Sequence, residues 1–247
     1  MARSWRPIKQ SIENMIIRSS APFQQYAPED LLGPLNEVER KNAPPRLFAL
    51  GDLSLLRSGP RVSIVGARNA SPEGCRRARK LATELAREGV IVVSGLAEGI
   101  DTAAHEGAIS AGGRTIAVLG APLDVSYPQR NEALRQSILR EHLAISQFPS
   151  GHPILRQNFP RRNRCMALVS DATVIVEAGD TSGSLSQGWE AIRLGRLLFI
   201  MKSVTVASGL TWPREMLRYG AQILTDTRPL LRLLPQEADA GPASVAF

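Results

Sequence analysis

Cysteine is nearly absent from this chain. Cys75 and Cys165 are the only two in 247 residues, which excludes a disulfide framework and a thiolate metal centre. Histidine is almost as scarce, and His105, His142 and His152 share no ligand spacing. No apolar run approaches the roughly 18 residues that span a bilayer. The N-terminal MARSWRPIKQ has no apolar stretch behind its charges, so no secretory signal is expected. These absences point to a reducing, cytoplasmic setting without metal, cofactor or membrane. Lysine, too, is rare. It stands at positions 9, 41, 80 and 202, although Lys and Arg together number 30 against 23 Asp and Glu. Arginine therefore carries most of the +7 surplus, and its planar fork suits bidentate phosphate contacts and stacking on bases. Charge alone leaves two readings open, a polyanion binder and a generically basic soluble protein.

Hydrophobic residues make up 43% of the chain, enough for a full core. Residues 1–60 read as a polar, proline-broken lead-in with short apolar clusters at 15–17 and 31–32, short helices and the extended stretch NAPPRLFALGDLSLL. From Val62 the pattern turns regular. Strands are expected at 62–65, 90–94, 115–119, 143–148, 172–177, 197–201 and 222–224. Continuous apolar runs of this kind suit a sheet covered on both faces. Helical patterns lie between them, at about 72–88, 99–110, 131–141, 161–170, 183–194 and 213–218. The first is well punctuated: Ser71 can cap it, Pro72 suits its first position and Gly89 its end. Strand–helix alternation predicts an α/β fold with a doubly wound, mostly parallel sheet. The expected division is a lead-in over 1–60, a Rossmann-like domain over 61–228, and a partly disordered tail over 229–247.

In such a sheet ligands bind beyond the carboxyl ends of the strands, so the turns that follow each strand carry the functional signal. After the first regular strand come Gly66, Ala67 and Arg68. A close-approaching backbone, a helix N-terminus and a cation together make an anion site, or else an ordinary turn with a solvated arginine. The pattern is not G-x-G-x-x-G, so a dinucleotide fingerprint is missing. After the second strand, Ser94 and Gly95 can turn amides toward an anion, while Asp101 and His105, one turn apart, read as a structural pair. After the third, Tyr127, Pro128 and Asn131 can shape a pocket wall, or Asn131 can simply cap the next helix. The densest charge follows in FPSGHPILRQNFPRRNRCMALVSD, where Arg156, Arg161, Arg162 and Arg164 are interleaved with Asn158, Phe159 and Asn163. Arg161 and Arg164 share a helical face and Arg162 points elsewhere. Guanidiniums beside an aromatic ring suit a single-stranded backbone with stacked bases; a solvated basic helix is the plainer alternative. After the fifth strand, Ser182, Gly183 and Ser184 at a helix start offer another phosphate cradle.

These runs resemble a known family. SIVGAR, VVSGLAEGIDTAAHEGAISAGGRTIAVLG, LDVSYPQRN, FPRRNR and VIVEAGDTSGSLSQGWEAIRLGR match, in order and spacing, the DNA-processing protein A family, also called Smf, over roughly residues 43–202. The resemblance implies a Rossmann-like domain that binds single-stranded DNA, dimerises and helps load a RecA-type recombinase during natural transformation. Carried over by position, it places Arg68 on the DNA backbone, Ser94 and Gly95 in the pocket, and Arg161, Arg164, Ser182, Gly183 and Ser184 along the groove. Gly66, Asn131, Phe159 and Asn163 join them as binding candidates. The family usually follows its sixth strand with a Pro-Gly turn. Here the residues are Met201, Lys202, Ser203 and Val204, and Lys202 can supply charge at the groove edge.

The same fold also resembles the LOG phosphoribohydrolases, which makes a nucleotide sensor or nucleotide hydrolase the alternative function. Those enzymes carry a PGGxGTxxE turn whose Glu acts on the glycosidic bond. Its position falls here on Gln187, with Glu190 one turn further on. An amide cannot serve as the general acid or base that a carboxylate is. No catalytic residue is therefore expected.

Overall fold

The computed structural model describes residues 23–235. The apolar cluster at 15–17 and the tail beyond 235 lie outside the described residues. A short strand β1 (Gln25–Tyr26) and helices α1 (Pro28–Leu32) and α2 (Glu37–Asn42) lead into β2 (Leu47–Gly51). Strands and helices then alternate: β3 (Arg61–Gly66), α3 (Pro72–Arg87), β4 (Ile91–Ser94), α4 (Ile100–Ser110), β5 (Thr115–Leu119) and α5 (Glu132–Glu141). They continue as β6 (Leu143–Ser146), α6 (Asn158–Val169), β7 (Ala172–Glu177), α7 (Ser184–Arg193) and β8 (Leu197–Met201). Helices α8 (Lys202–Thr205) and α9 (Trp212–Arg218) precede β9 (Gln222–Leu224), and α10 (Arg228–Leu233) follows it.

The nine strands form one sheet in the order β1-β2-β6-β5-β4-β3-β7-β8-β9. From β3 the chain winds outward through β4, β5 and β6, then returns to the other side of β3 for β7, β8 and β9. The order therefore reverses at the β3/β7 boundary. Strands β3 to β9 pair in parallel, whereas β2 runs antiparallel to β6, with Phe48 opposite Ser146. Alternate residues of each strand feed opposite faces. Ile91, Val93, Ile116, Val118, Leu143 and Ile145 pack on the α6–α7 face. Val62, Ile64, Val92 and Val174 meet α3 and α4, while Ala117, Leu119 and Ala144 meet α5. Every residue of β5 is buried, as covered parallel strands require.

Helix α3 is formed as its punctuation predicts. Ser71 Oγ accepts from Gly74 N at 2.9 Å, and past the C-terminus Gly89 N and Val90 N donate to the Ala86 and Leu85 carbonyls. Its inner stripe buries Leu81 and Leu85, at roughly 1.5–3 kcal/mol for each side chain.

One expectation needs correction. The sheet does not start at residue 61, because β1 and β2 extend it across the boundary drawn at 60. The stretch 43–51 is apolar at Leu47, Phe48 and Ala49, all of them buried, and a place between β1 and β6 is where that apolar strand finds cover. Of the stretch 229–247, residues 229–235 are described and carry most of α10, with Leu230 fully buried and Leu234 also inside. Among the described residues no helix is long and apolar enough to cross a membrane, and no group of three or more His, Cys, Asp or Glu could hold a metal ion.

Candidate nucleic-acid interface

The turns beyond β3, β4, β5 and β7, together with the start of α6, enclose a groove at the carboxyl edge of the sheet, where the strand order reverses. It has two chambers of about 390 Å³ each. The first is walled by the β3 turn (Gly66, Ala67, Arg68 and Asn69) and the β7 turn (Gly179, Thr181, Ser182, Gly183 and Ser184). The second opens between the β4 turn, Gly120 and the Tyr127–Pro128 segment. Arg68, Phe159 and Arg162 line both chambers. The Arg68 guanidinium lies over the Phe159 ring, 4.6 Å from its centroid, and Phe159 meets Tyr127 at 5.6 Å between centroids. A cation stacked on an aromatic ring thus forms the partition.

Arg162 is the floor. Its side chain is only 6% exposed, and Nη1 donates to the Val118 carbonyl at 3.1 Å. The same nitrogen lies 3.9 Å from Asp101 Oδ2. Burial works against the charge on both partners. It raises the Asp101 carboxyl against the pull of Arg162, and it lowers the Arg162 guanidinium against the pull of Asp101, with Arg68 repelling as well. Arg162 Nε is buried and has no hydrogen-bond partner among the described residues. Gly95 is required by this packing, because a Cβ there would collide with Arg162 Nη1; at Gly120 a Cβ would press on the Phe159 ring. Burial in the same floor pushes the Cys165 thiol up to about 12, which leaves it inert.

The candidate residues separate into two groups. Gly66, Arg68, Gly95, Phe159, Asn163, Ser182, Gly183 and Ser184 line the groove. Asn163 Nδ2 donates to the Gly183 carbonyl at 3.0 Å and to Ser186 Oγ at 2.7 Å, tying α6 to the β7 turn. The other candidates face elsewhere. Ser94 is fully buried and donates to the Ile64 carbonyl at 2.7 Å, inside the sheet. Asn131 stands at the N-cap of α5, but its side chain makes no capping bond. It donates instead to the Leu96 carbonyl at 2.9 Å, pinning a residue held at φ 56°, a conformation that costs on the order of 1–3 kcal/mol outside glycine. Arg161 lies 5.7 Å from the Phe148 ring centroid and Arg164 pairs with Glu190, so neither lines a chamber. Lys202 begins α8, exposed and away from both chambers.

Arg162 was the residue missed. Its divergence from Arg161 and Arg164 is as expected, but the face it occupies was readable: Arg162, Cys165, Met166 and Val169 stand at i, i+3, i+4 and i+7, the buried stripe of α6. Asp101 and His105 also part company. Asp101 accepts from Gly95 N at 3.2 Å and Ala97 N at 3.3 Å. His105 Nδ1 bonds to Thr115 Oγ1 at 2.7 Å, and burial pushes its pKa down to about 3.

The β3 turn holds a second surprise. The N-terminus of α3, expected to be an anion site, is already filled by a carboxylate. Glu177, from the end of β7, accepts from Ser71 N at 2.7 Å and Ser71 Oγ at 2.6 Å, and pairs with Arg77 at 3.1 Å. The β7 turn has no such plug: its hydroxyls pair with each other, Ser182 Oγ to Ser184 Oγ at 2.7 Å. Gln187 lines the first chamber but is fully buried. Its amide nitrogen donates to the Asn163 carbonyl and its oxygen accepts from Thr173 Oγ1 at 3.3 Å. Glu190 lines neither chamber and lies between Arg164 at 3.4 Å and Arg193 at 3.5 Å.

Residues 24–235 match the family model described as DNA recombination-mediator protein A. The chain is 37% identical over 216 residues to DNA processing protein DprA of Streptococcus pneumoniae, covering 86% of this chain and 76% of that one. It is 32% identical over 193 residues to DNA processing protein DprA of Bacillus subtilis, covering 78% of this chain and 65% of that protein. The X-ray structure of the pneumococcal protein superimposes with a TM-score of 0.75 at 31% identity, covering 92% of this chain and 78% of that one. DNA processing protein A from Helicobacter pylori, described for its single-stranded DNA binding mode, superimposes with a TM-score of 0.71 at 28% identity, covering 85% of this chain and 95% of that one.

Proposed function

Because the chain belongs to the DNA recombination-mediator protein A family, we propose that it binds single-stranded DNA in the two-chambered groove and catalyses no reaction there. The observation that carries this is the partition: Arg68 stacked on Phe159, above the buried Arg162. Such a combination offers a cation to a phosphate and a ring face to a base, whatever the base, which is how single strands are held without sequence readout. The turn of Ser182, Gly183 and Ser184 at the start of α7, whose hydroxyls bond to each other across 2.7 Å, extends the phosphate track along the first chamber. The absence of chemistry is supported by Gln187, an amide locked in hydrogen bonds, and by Glu190, neutralised by two arginines away from the groove. Within a cytoplasmic setting, the bound strand would be handed to a RecA-type recombinase.

A second copy of the chain is the proposed partner at the β9 edge. Among the described residues strand β9 pairs with β8 on one side only, and the segment from α8 to α10 exposes Val206, Tyr219, Ile223 and Leu233. An open edge with apolar surface invites pairing with its own copy. Ile223→Glu, run beside the wild type in light scattering, should yield a monomer; a dimer that survives the change rejects this edge.

The groove is tested by fluorescence anisotropy on labelled single strands across a salt series. Arg68→Ala should weaken binding to every sequence and reduce the log–log salt slope by about 0.7, the value for one lost phosphate contact on a single strand. Equal affinity and slope in the wild type and the variant would remove the groove from the function.

A further inference from the structure

The second chamber contains a group that phosphate binding does not explain. Glu98 is the one carboxylate among the described residues that line it, set opposite Arg68 and Arg162 in an otherwise cationic groove. A carboxylate only weakens attraction for a phosphate backbone, and it offers hydrogen-bond acceptors alone. Its single ion-pair partner is Arg130, with Nη1 at 3.4 Å from Oε2, and that arginine is 83% exposed. An exposed pair of this kind is weak and readily exchanged; Oε1 takes no partner among the described residues. The chamber walls are the Phe159 and Tyr127 rings and Pro128, which suit the flat faces of a nucleobase. A base stacked there turns one edge toward the β4 turn, where Glu98 stands.

Base edges differ in what they show to a carboxylate. Guanine presents two adjacent donors, N1–H and N2–H2, that match two carboxylate oxygens side by side. Cytosine and adenine present one amino group beside a ring acceptor. Thymine presents one N–H flanked by two carbonyls, which repel the carboxylate. We propose that Glu98 makes the second chamber a guanine-preferring subsite, so that the protein settles on single-stranded DNA in a register that places a guanine against the wall formed by Tyr127 and Phe159, with its edge at Glu98. Asn69, which lines the same chamber, supplies an amide donor for the guanine O6. The proposal rests on the reading of the groove as a single-strand site and adds a base preference to it.

The test compares a short oligothymidylate with the same strand carrying one central guanine, by anisotropy at fixed salt, for the wild type and for Glu98→Ala. The wild type should bind the guanine strand about tenfold more tightly, as one bidentate base contact allows. Glu98→Ala should bind the two strands equally, and the oligothymidylate somewhat more tightly than the wild type does, because a repulsive charge has gone. Equal affinity of the wild type for both strands, or a preference that persists unchanged in Glu98→Ala, overturns the assignment while leaving the groove intact. Failure of the wild type to bind either strand overturns the groove reading and the guanine subsite with it.

Discussion

The turns after β3 and β7 look alike in sequence, with glycine, small residues and a hydroxyl ahead of a helix, yet they end differently. The β3 turn is sealed by its own protein, since the Glu177 carboxylate occupies the N-terminus of α3 and binds Ser71 and Arg77. The β7 turn leaves the N-terminus of α7 to its own serine hydroxyls and faces the first chamber. A helix N-terminus attracts negative charge in either case. What differs is whether a neighbouring strand already delivers a carboxylate to it. Glu177 ends β7, the strand beside β3, so the switch in strand order that makes the groove also plugs one of its two helix ends. The first turn contributes a side chain, Arg68, and the second contributes backbone.

This contrast can be broken at four points. The largest effect is expected at Arg162, the cation on the floor between the two turns. Arg162→Met leaves Asp101 buried without its partner and should cost about 3–5 kcal/mol of stability, measured as a shift in the urea midpoint. Next comes Glu177→Ala, which unplugs α3 and leaves Arg77 with Glu73 alone, at 3.8 Å. Lost hydrogen bonds to a charged group are worth roughly 1.5–3 kcal/mol, and single-strand affinity should fall as the Arg68 turn loosens; an unchanged denaturation curve would show that the plug holds nothing. Ser184→Asp does the reverse and plugs the open end. It should weaken single-strand binding about tenfold while raising thermal stability slightly, by roughly 0.3–1 kcal/mol from the helix dipole. Tighter binding in that variant would show that the β7 turn is no phosphate track. The smallest effect is expected for Gly183→Ala. Among the described residues, no atom beyond the chain neighbours lies within 4 Å of the added methyl, and the backbone there is right-handed. Both stability and affinity should stay within about 0.5 kcal/mol.

Most of the parallel sheet was legible because its strands are continuous apolar runs with few competing patterns; the bounds of β5, β7, β8 and β9 agree with expectation to the residue. The antiparallel β2 was visible only as an extended stretch. Its partner β6 lies about a hundred residues further on, and nothing local in 47–51 names that partner. In the groove, the residues at turns were legible by position, since strand ends determine where turns fall. Burial was not. Ser94 and Asn131 stand at the right turns but satisfy backbone carbonyls, and the polar character that suggested ligand binding is the same character that lets them do so. Arg162 was not legible because arginine is rarely buried, although its spacing with Cys165, Met166 and Val169 puts it on the inner stripe.

Strand β2 also sets a schedule for synthesis. The ribosome makes residues 47–51 long before Leu143–Ser146, the strand that covers them. At roughly 5–20 residues per second of chain growth, about a hundred intervening residues take on the order of 5–20 seconds. Through that interval Leu47 and Phe48 have only the two-residue β1 beside them and Ala49 has no strand partner yet, so the nascent chain carries an apolar strand open on one side that a folding helper would have to shield.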